Sequence, residues 1–172
     1  MEMTIKERKR GFTIIELMVA LAIAGVLLGL ALPAFNGFIE QRTMTTRVNE
    51  FVLAVNYARS EAAKLGGLVS IQAVNAADGA NEWGPGYCVI IGNPGNCNAP
   101  LRTFSAMDDT TMDATGAFDT LTTLSFNARG VLTVNGEGTM QLCSTDVGVD
   151  PGRIIGLNLI GRTTSTELIC NP

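Results

Sequence analysis

One carboxylate stands out by its surroundings. Glu16 lies four residues into an apolar run that begins at Phe12, and residues 17–39 carry no charge. An ionised carboxylate in such surroundings costs several kcal/mol unless a cation meets it, so it is a functional candidate. A new α-amino group at Phe12, freed by cleavage after Gly11, is such a cation. The second set is Cys88, Cys97, Cys143 and Cys170, all beyond the apolar run. The chain has no His and no Cys-x-x-Cys pair, so neither a metal site nor a thiol nucleophile with an imidazole base is expected. Four cysteines allow three pairings. We favour Cys88–Cys97, which clips the loop 92–96, and Cys143–Cys170, which ties down the last strand. Asp108, Asp109 and Asp113 lack the spacing of an EF-hand loop and read as a solvated acidic loop. Trp83-Gly-Pro-Gly-Tyr87 holds a lone Gly-x-Gly that does not lead from a strand into a helix, so it reads as a turn carrying two aromatics.

The elements that must position these residues follow from composition and period. The 172 residues are 47% hydrophobic, enough for one packed core and far from a disordered composition. A pI near 4.8 argues against a generally basic nucleic-acid surface. The absence of His removes most hydrolase triads; no nucleophile–base pair or cofactor motif is visible, so no enzyme activity and no cofactor are expected. Lys6, Arg8, Lys9 and Arg10 precede the apolar run. About 20 apolar residues span a bilayer, and flanking cations stay cytoplasmic. The expected topology is therefore a single pass with the remainder across the membrane. A secretory signal peptide would have a shorter apolar core.

Beyond Pro33, residues Phe35, Phe38, Ile39, Val48, Phe51, Val52, Val55, Ala58, Ala62 and Leu65 keep a spacing of three and four. One long helix over about 12–65 is predicted, apolar first and amphipathic second, stopped by Gly66-Gly67. Short strands are expected at 68–74, 87–91, 101–106, 121–127, 131–134, 139–144, 154–160 and 166–170, with turns at Asn127–Gly130 and Asn135-Gly136. The fold class is α+β, a long N-terminal helix packed on an antiparallel head. The expected divisions are a leader at 1–11, an apolar helix at 12–35, an amphipathic stem at 36–66 and a β-rich head at 67–172.

The string Lys9-Arg10-Gly11-Phe12-Thr13-Ile14-Ile15-Glu16-Leu17 resembles the class III signal of type IV pilins and type II secretion pseudopilins. Asn56-Tyr-Ala-Arg-Ser-Glu-Ala-Ala-Lys-Leu-Gly66 and Leu124-Ser-Phe-Asn-Ala-Arg-Gly130 are similar to segments of the GspH/FimT group of minor pilins and pseudopilins. The resemblance implies that a prepilin peptidase cuts between Gly11 and Phe12 and that Phe12 is N-methylated. It implies that Glu16 pairs with a neighbour's Phe12 amino group during assembly, and that Pro33 kinks the helix. The implied product is a structural minor pilin of the FimT/FimU type. It is held in the inner membrane with its head periplasmic, and later joins a pilus or periplasmic pseudopilus. Its implied partners are membrane lipid, other minor and major pilins or pseudopilins, and the inner-membrane assembly platform. A GspH-type pseudopilin of type II secretion is the alternative within that group. A DNA-binding tip pilin is the alternative outside it: Arg153 and Arg162 are the candidate DNA contacts, and a Gly-Arg-x-Arg-type motif is met only in part by Gly161-Arg162-Thr163-Thr164. Against DNA, residues 66–172 carry four Arg and ten Asp+Glu.

Overall fold

A computed structural model describes residues 11–74, 81–145 and 151–170, without the side chains of residues 30–36 and 151. Helix α1 (Ile14–Leu65) is followed by eight strands: β1 (Val69–Ala73), β2 (Tyr87–Ile91), β3 (Arg102–Phe104), β4 (Thr110–Gly116), β5 (Thr123–Phe126), β6 (Gly138–Ser144), β7 (Pro151–Leu157) and β8 (Thr163–Ile169). The chain divides into two units, residues 1–38 and 39–172. In the first, the helix continues through position 33, but the expected kink at Pro33 falls among side chains outside the described residues.

In the second unit, the stem buries Met44, Val48, Phe51, Ala54, Val55, Ala58 and Ala62. Their spacing of three and four forms one continuous stripe, which removes apolar surface from water. Phe38, Ile39 and Leu65, assigned to that stripe from their spacing, are instead exposed at 51%, 49% and 48% of their surfaces, and the side chain of Phe35 lies outside the described residues. The helix stops where Gly66 turns to φ 63°, and Gly67 N donates to Ala62 O at 3.2 Å. That is the 6→1 bond of a Schellman cap, which a Cβ-bearing residue would strain.

The head contains two antiparallel sheets, with orders β3-β2-β1-β5 and β4-β6-β7-β8. All five residues of β1 are buried. The second sheet alternates: Met112, Ala114, Met140, Leu142, Ile155 and Leu157 face the core, while their neighbours are partly exposed. Phe51 on the stem meets Trp83 edge-on at 6.2 Å and Tyr87 at 5.7 Å, and Tyr87 stacks on Phe104 at 4.8 Å. The two aromatics of the Gly-Pro-Gly turn are thus core residues. Gly86 permits the approach, since a Cβ there would stand 2.7 Å from Phe104 O.

Three strand expectations are corrected. Residues 110–116, read as part of an acidic loop, form β4: Thr110, Met112 and Ala114 point inward and alternate with Thr111, Asp113 and Thr115. Residues 131–134 form only an isolated bridge, Phe126 to Leu132. Asn135-Gly136 does not close a hairpin, because β5 and β6 lie in different sheets.

Both expected disulfides are present, Cys88–Cys97 and Cys143–Cys170. The second reaches from β6 past β7 to the residue after β8. Gly152 of β7 lies opposite Cys143 on one side and Leu168 on the other. A Cβ at Gly152 would strike Cys170 Sγ and stand 2.9 Å from Leu142 O. Gly152→Val should therefore leave two titratable thiols under oxidising refolding. It should also forfeit about 3 kcal/mol of chain-entropy stabilisation. A thiol count of zero in the folded variant would refute this.

Candidate functional site

The chemistry-bearing end of the chain is built on a helix start. Gly11, Phe12 and Thr13 precede α1 without regular structure, and Phe12 is 86% exposed. Leu17 N donates to Thr13 O at 3.2 Å, which opens the helical ladder. Thr13 N donates to Glu16 Oε2 at 3.4 Å, and Glu16 N donates to Thr13 Oγ1 at 3.3 Å. This reciprocal pair is a capping box, in which two otherwise orphaned backbone donors find acceptors. The carboxylate also sits at the positive end of the helix dipole. Sequence reasoning treated Glu16 only as a partner for another chain's amine. The signal for its local role was present in Thr13-Ile14-Ile15-Glu16, the Thr-x-x-Glu pattern ahead of an apolar run.

The consequence is positional. The cap fixes the Glu16 carboxylate beside the backbone of Thr13, one residue from Phe12. The Gly11–Phe12 peptide lies in exposed chain just ahead of the helix, open to a protease. Past the cap, Ile14, Ile15, Leu17, Met18, Val19, Leu21, Ile23, Val26, Leu27 and Leu28 are all more than half exposed, on every side of the helix. A helix that is apolar all round needs lipid or other helices around it. Among the described residues no helix is long and apolar enough to cross a membrane.

The two strings singled out in the stem and the head meet at Arg59. Its Nε donates to Gly130 O at 3.1 Å and a terminal nitrogen donates to Gly161 O at 3.0 Å. The two carbonyls belong to turns of one design. Gly130 N donates to Asn127 O and Gly161 N to Asn158 O, while Asn127 Oδ1 and Asn158 Oδ1 each accept from the backbone four residues on, Val131 N and Arg162 N. Both glycines have positive φ, 71° and 73°. The planar guanidinium suits two divergent acceptors, where an ammonium would reach one. Sequence reasoning identified Arg59 only as a charge between apolar positions; its long-range acceptors are invisible to periodicity.

The structure sets the candidate DNA contacts apart. Arg153 pairs with Glu167 at 2.8 Å across β7 and β8. Arg162 follows the Asn158–Gly161 turn, where Asn158 N donates to Arg162 O. The two arginines therefore stand five strand positions apart, about 17 Å at about 3.4 Å per residue. Gly161 serves the fold through Arg59. Of the three acids, Asp109 holds Arg47 at 3.1 Å and Asp113 belongs to β4. Among the described residues no group of three or more His, Cys, Asp or Glu could hold a metal ion.

The family model described as type II transport protein GspH matches residues 47–161, a span that contains the Arg59 stem segment and both turns it holds. The chain belongs to the GspH family. The prokaryotic N-terminal methylation motif matches residues 6–32, which include the capping box. The crystal structure of the type IV minor pilin FimU of Pseudomonas aeruginosa superposes with a TM-score of 0.61 at 28% identity, covering 74% of this chain and 90% of that one. Fimbrial protein EcpC of Eikenella corrodens is 40% identical over 45 residues, 26% of this chain and 29% of its own. The type IV major alpha-pilin of Moraxella bovis is 49% identical over 41 residues, 24% of this chain and 25% of its own. The chain thus spans little more than a quarter of the length of these curated relatives. As a GspH-family member it is a type IV minor pilin or pseudopilin with the α+β pilin fold.

Proposed function

We propose that this GspH-family chain is a structural, non-catalytic minor pilin of the FimT/FimU type that helps prime or cap a type IV pilus. The observation that carries the reading is the likeness to the minor pilin FimU over 90% of that chain, joined to a methylation motif ahead of it. In this reading, a prepilin peptidase cleaves between Gly11 and Phe12 and methylates the Phe12 amine. The helix at 12–35 holds the subunit in the inner membrane with the head, 36–172, in the periplasm. The assembly platform then moves it into the filament, where the apolar helices bury against one another. Glu16 exchanges its local Thr13 N–H for the amine of a neighbour's Phe12. In a water-poor bundle such a pair fixes register, and loss of one partner strands the other charge.

The second reading, a pseudopilin of type II secretion, is favoured by the description of the matching family itself. A deletion strain separates the two. Loss of surface pili with normal protein secretion supports the first, and loss of secretion with normal piliation supports the second. DNA binding has less support, since the candidate arginines are separated and Arg153 is engaged by Glu167. Absence of a gel shift at low salt would end it.

A further inference from the structure

Three of the outer sheet edges are guarded. Residues 81–83 cover β4: Trp83 N donates to Met112 O at 3.1 Å and Met112 N to Asn81 Oδ1 at 2.8 Å. β5 is covered by Leu132, bridged to Phe126, and by Thr133 N, which donates to Ser125 O at 2.9 Å. β3 is only three residues long. β8 is different. It pairs with β7 over all seven residues without a bulge, contains neither Lys nor Pro, and ends the sheet order, so among the described residues no strand lies beyond it. Thr164, Ser165, Thr166, Glu167 and Ile169 are exposed. Which backbone groups face outward follows from the ladder, in which alternate residues turn N–H and C=O to the same neighbour. Asn158 N donates to Arg162 O at 3.2 Å, so Arg162 faces β7, and so do Thr164, Thr166 and Leu168. The far edge gives the same phase. Met112 turns its N and O to residues 81–83, which through the registers of β4, β6 and β7 turns Gly152, Ile154 and Gly156 towards β8. Thr163, Ser165, Glu167 and Ile169 therefore present their backbone donors and acceptors outward.

We propose that this edge pairs antiparallel with the same edge of a second copy of the chain, with Thr166 on the two-fold axis. In that register Thr163 meets Ile169 and Ser165 meets Glu167 on either side of the axis, so every outward residue exchanges hydrogen bonds. The side chains are self-complementary. The Ser165 hydroxyl faces a Glu167 carboxylate that Arg153 of the same chain already neutralises at 2.8 Å. The exposed Ile169 lies against Thr163, another β-branched side chain, and Thr166 meets itself. Slipping the register by two residues one way opposes Glu167 to Glu167, and the other way leaves Ile169 without a strand partner. A groove of about 380 Å³ between stem and β8, lined by Thr45, Val48, Asn49, Arg153 and Glu167, leaves room for the incoming side chains. β8 runs back along the stem, from Gly161 at Arg59 to Ser165 and Glu167 beside Thr45 and Asn49. The two-fold axis stands normal to the sheet, so it reverses the second stem. Such a pair joins two filaments that meet from opposite sides; that consequence rests on the pilus reading above, whereas the pairing itself does not.

The test uses the full chain in detergent micelles, with both native disulfides closed. On the axis the two Thr166 Cα atoms stand about 4.5 Å apart, within disulfide reach. Thr164 stands about 14 Å from its mate, at about 3.4 Å per residue. Under mild oxidation Thr166→Cys should therefore close an intermolecular disulfide at least about 10-fold faster than Thr164→Cys. Ser165→Pro removes one outward N–H and leaves the β7 ladder alone. Added to Thr166→Cys, it should abolish the cross-link while lowering the melting temperature by less than about 3 °C. Equal rates for the two cysteine variants, or a cross-link that survives Ser165→Pro, overturn the proposal. So does a cross-linked product from sheared filaments whose mass is not twice that of the chain, which assigns the edge to another subunit. A deletion strain that loses secretion rather than pili removes the filament-to-filament consequence and leaves the cross-link standing.

Discussion

Replacing Glu16 with alanine should abolish entry into the filament while leaving cleavage after Gly11 intact. Two functions are removed at once, and Glu16→Gln separates them. Glutamine serves in a capping box, so Glu16→Gln keeps the bond to Thr13 N and the helix start. It carries no charge, so it cannot neutralise a neighbour's amine in the bundle. If charge pairing governs assembly, both variants fail, by about 100-fold or more, consistent with stranding a buried ion at about 3–5 kcal/mol. If helix initiation governs it, Glu16→Gln assembles and Glu16→Ala does not. Immunoblots of sheared filaments and of whole cells read incorporation and processing separately. Normal incorporation of Glu16→Ala removes Glu16 from the assembly mechanism altogether.

Arg59→Ala should destabilise the head by about 3–4 kcal/mol, since two hydrogen bonds from a charged donor are lost and two turn carbonyls are left facing a void. The melting temperature should fall by about 10 °C. Arg59→Lys should recover less than half of that, because one ammonium cannot meet Gly130 O and Gly161 O together. Gly161→Ala should approach the alanine variant from the other side: φ is 73°, and its Cβ would collide with the Arg59 guanidinium. An Arg59→Ala head that melts with the wild type would mean that the turns hold without their pin.

Periodicity carried the stem well. Val48, Phe51, Val55, Ala58 and Ala62 stand at core positions because helical spacing and burial are the same fact viewed twice. Both disulfide pairings were legible because loop length and strand order leave few sensible partners. The β4 strand was hidden by its acids: Asp113 faces outward in a true alternation, yet three nearby aspartates suggested solvent. One other feature was out of reach for a physical reason. Arg59 finds its acceptors 71 and 102 residues away, a separation that leaves no trace in local pattern. At the candidate site, Glu16 stood out by its charge in an apolar run and the expected cut between Gly11 and Phe12 came from the resemblance of the leader string, whereas the local cap needed the Thr-x-x-Glu spacing to be weighed as helix chemistry.

The covalent cross-links have a mechanical corollary. Cys88–Cys97 joins β2 to the loop that precedes β3, and Cys143–Cys170 spans β6 to the end of β8, so each staple stays within one sheet. Neither disulfide crosses the seam between the sheets, which only the backbone connections β3–β4, β4–β5 and β5–β6 span. A pull that shears one sheet past the other should part that seam at low force, while each stapled plate keeps its own strands in register.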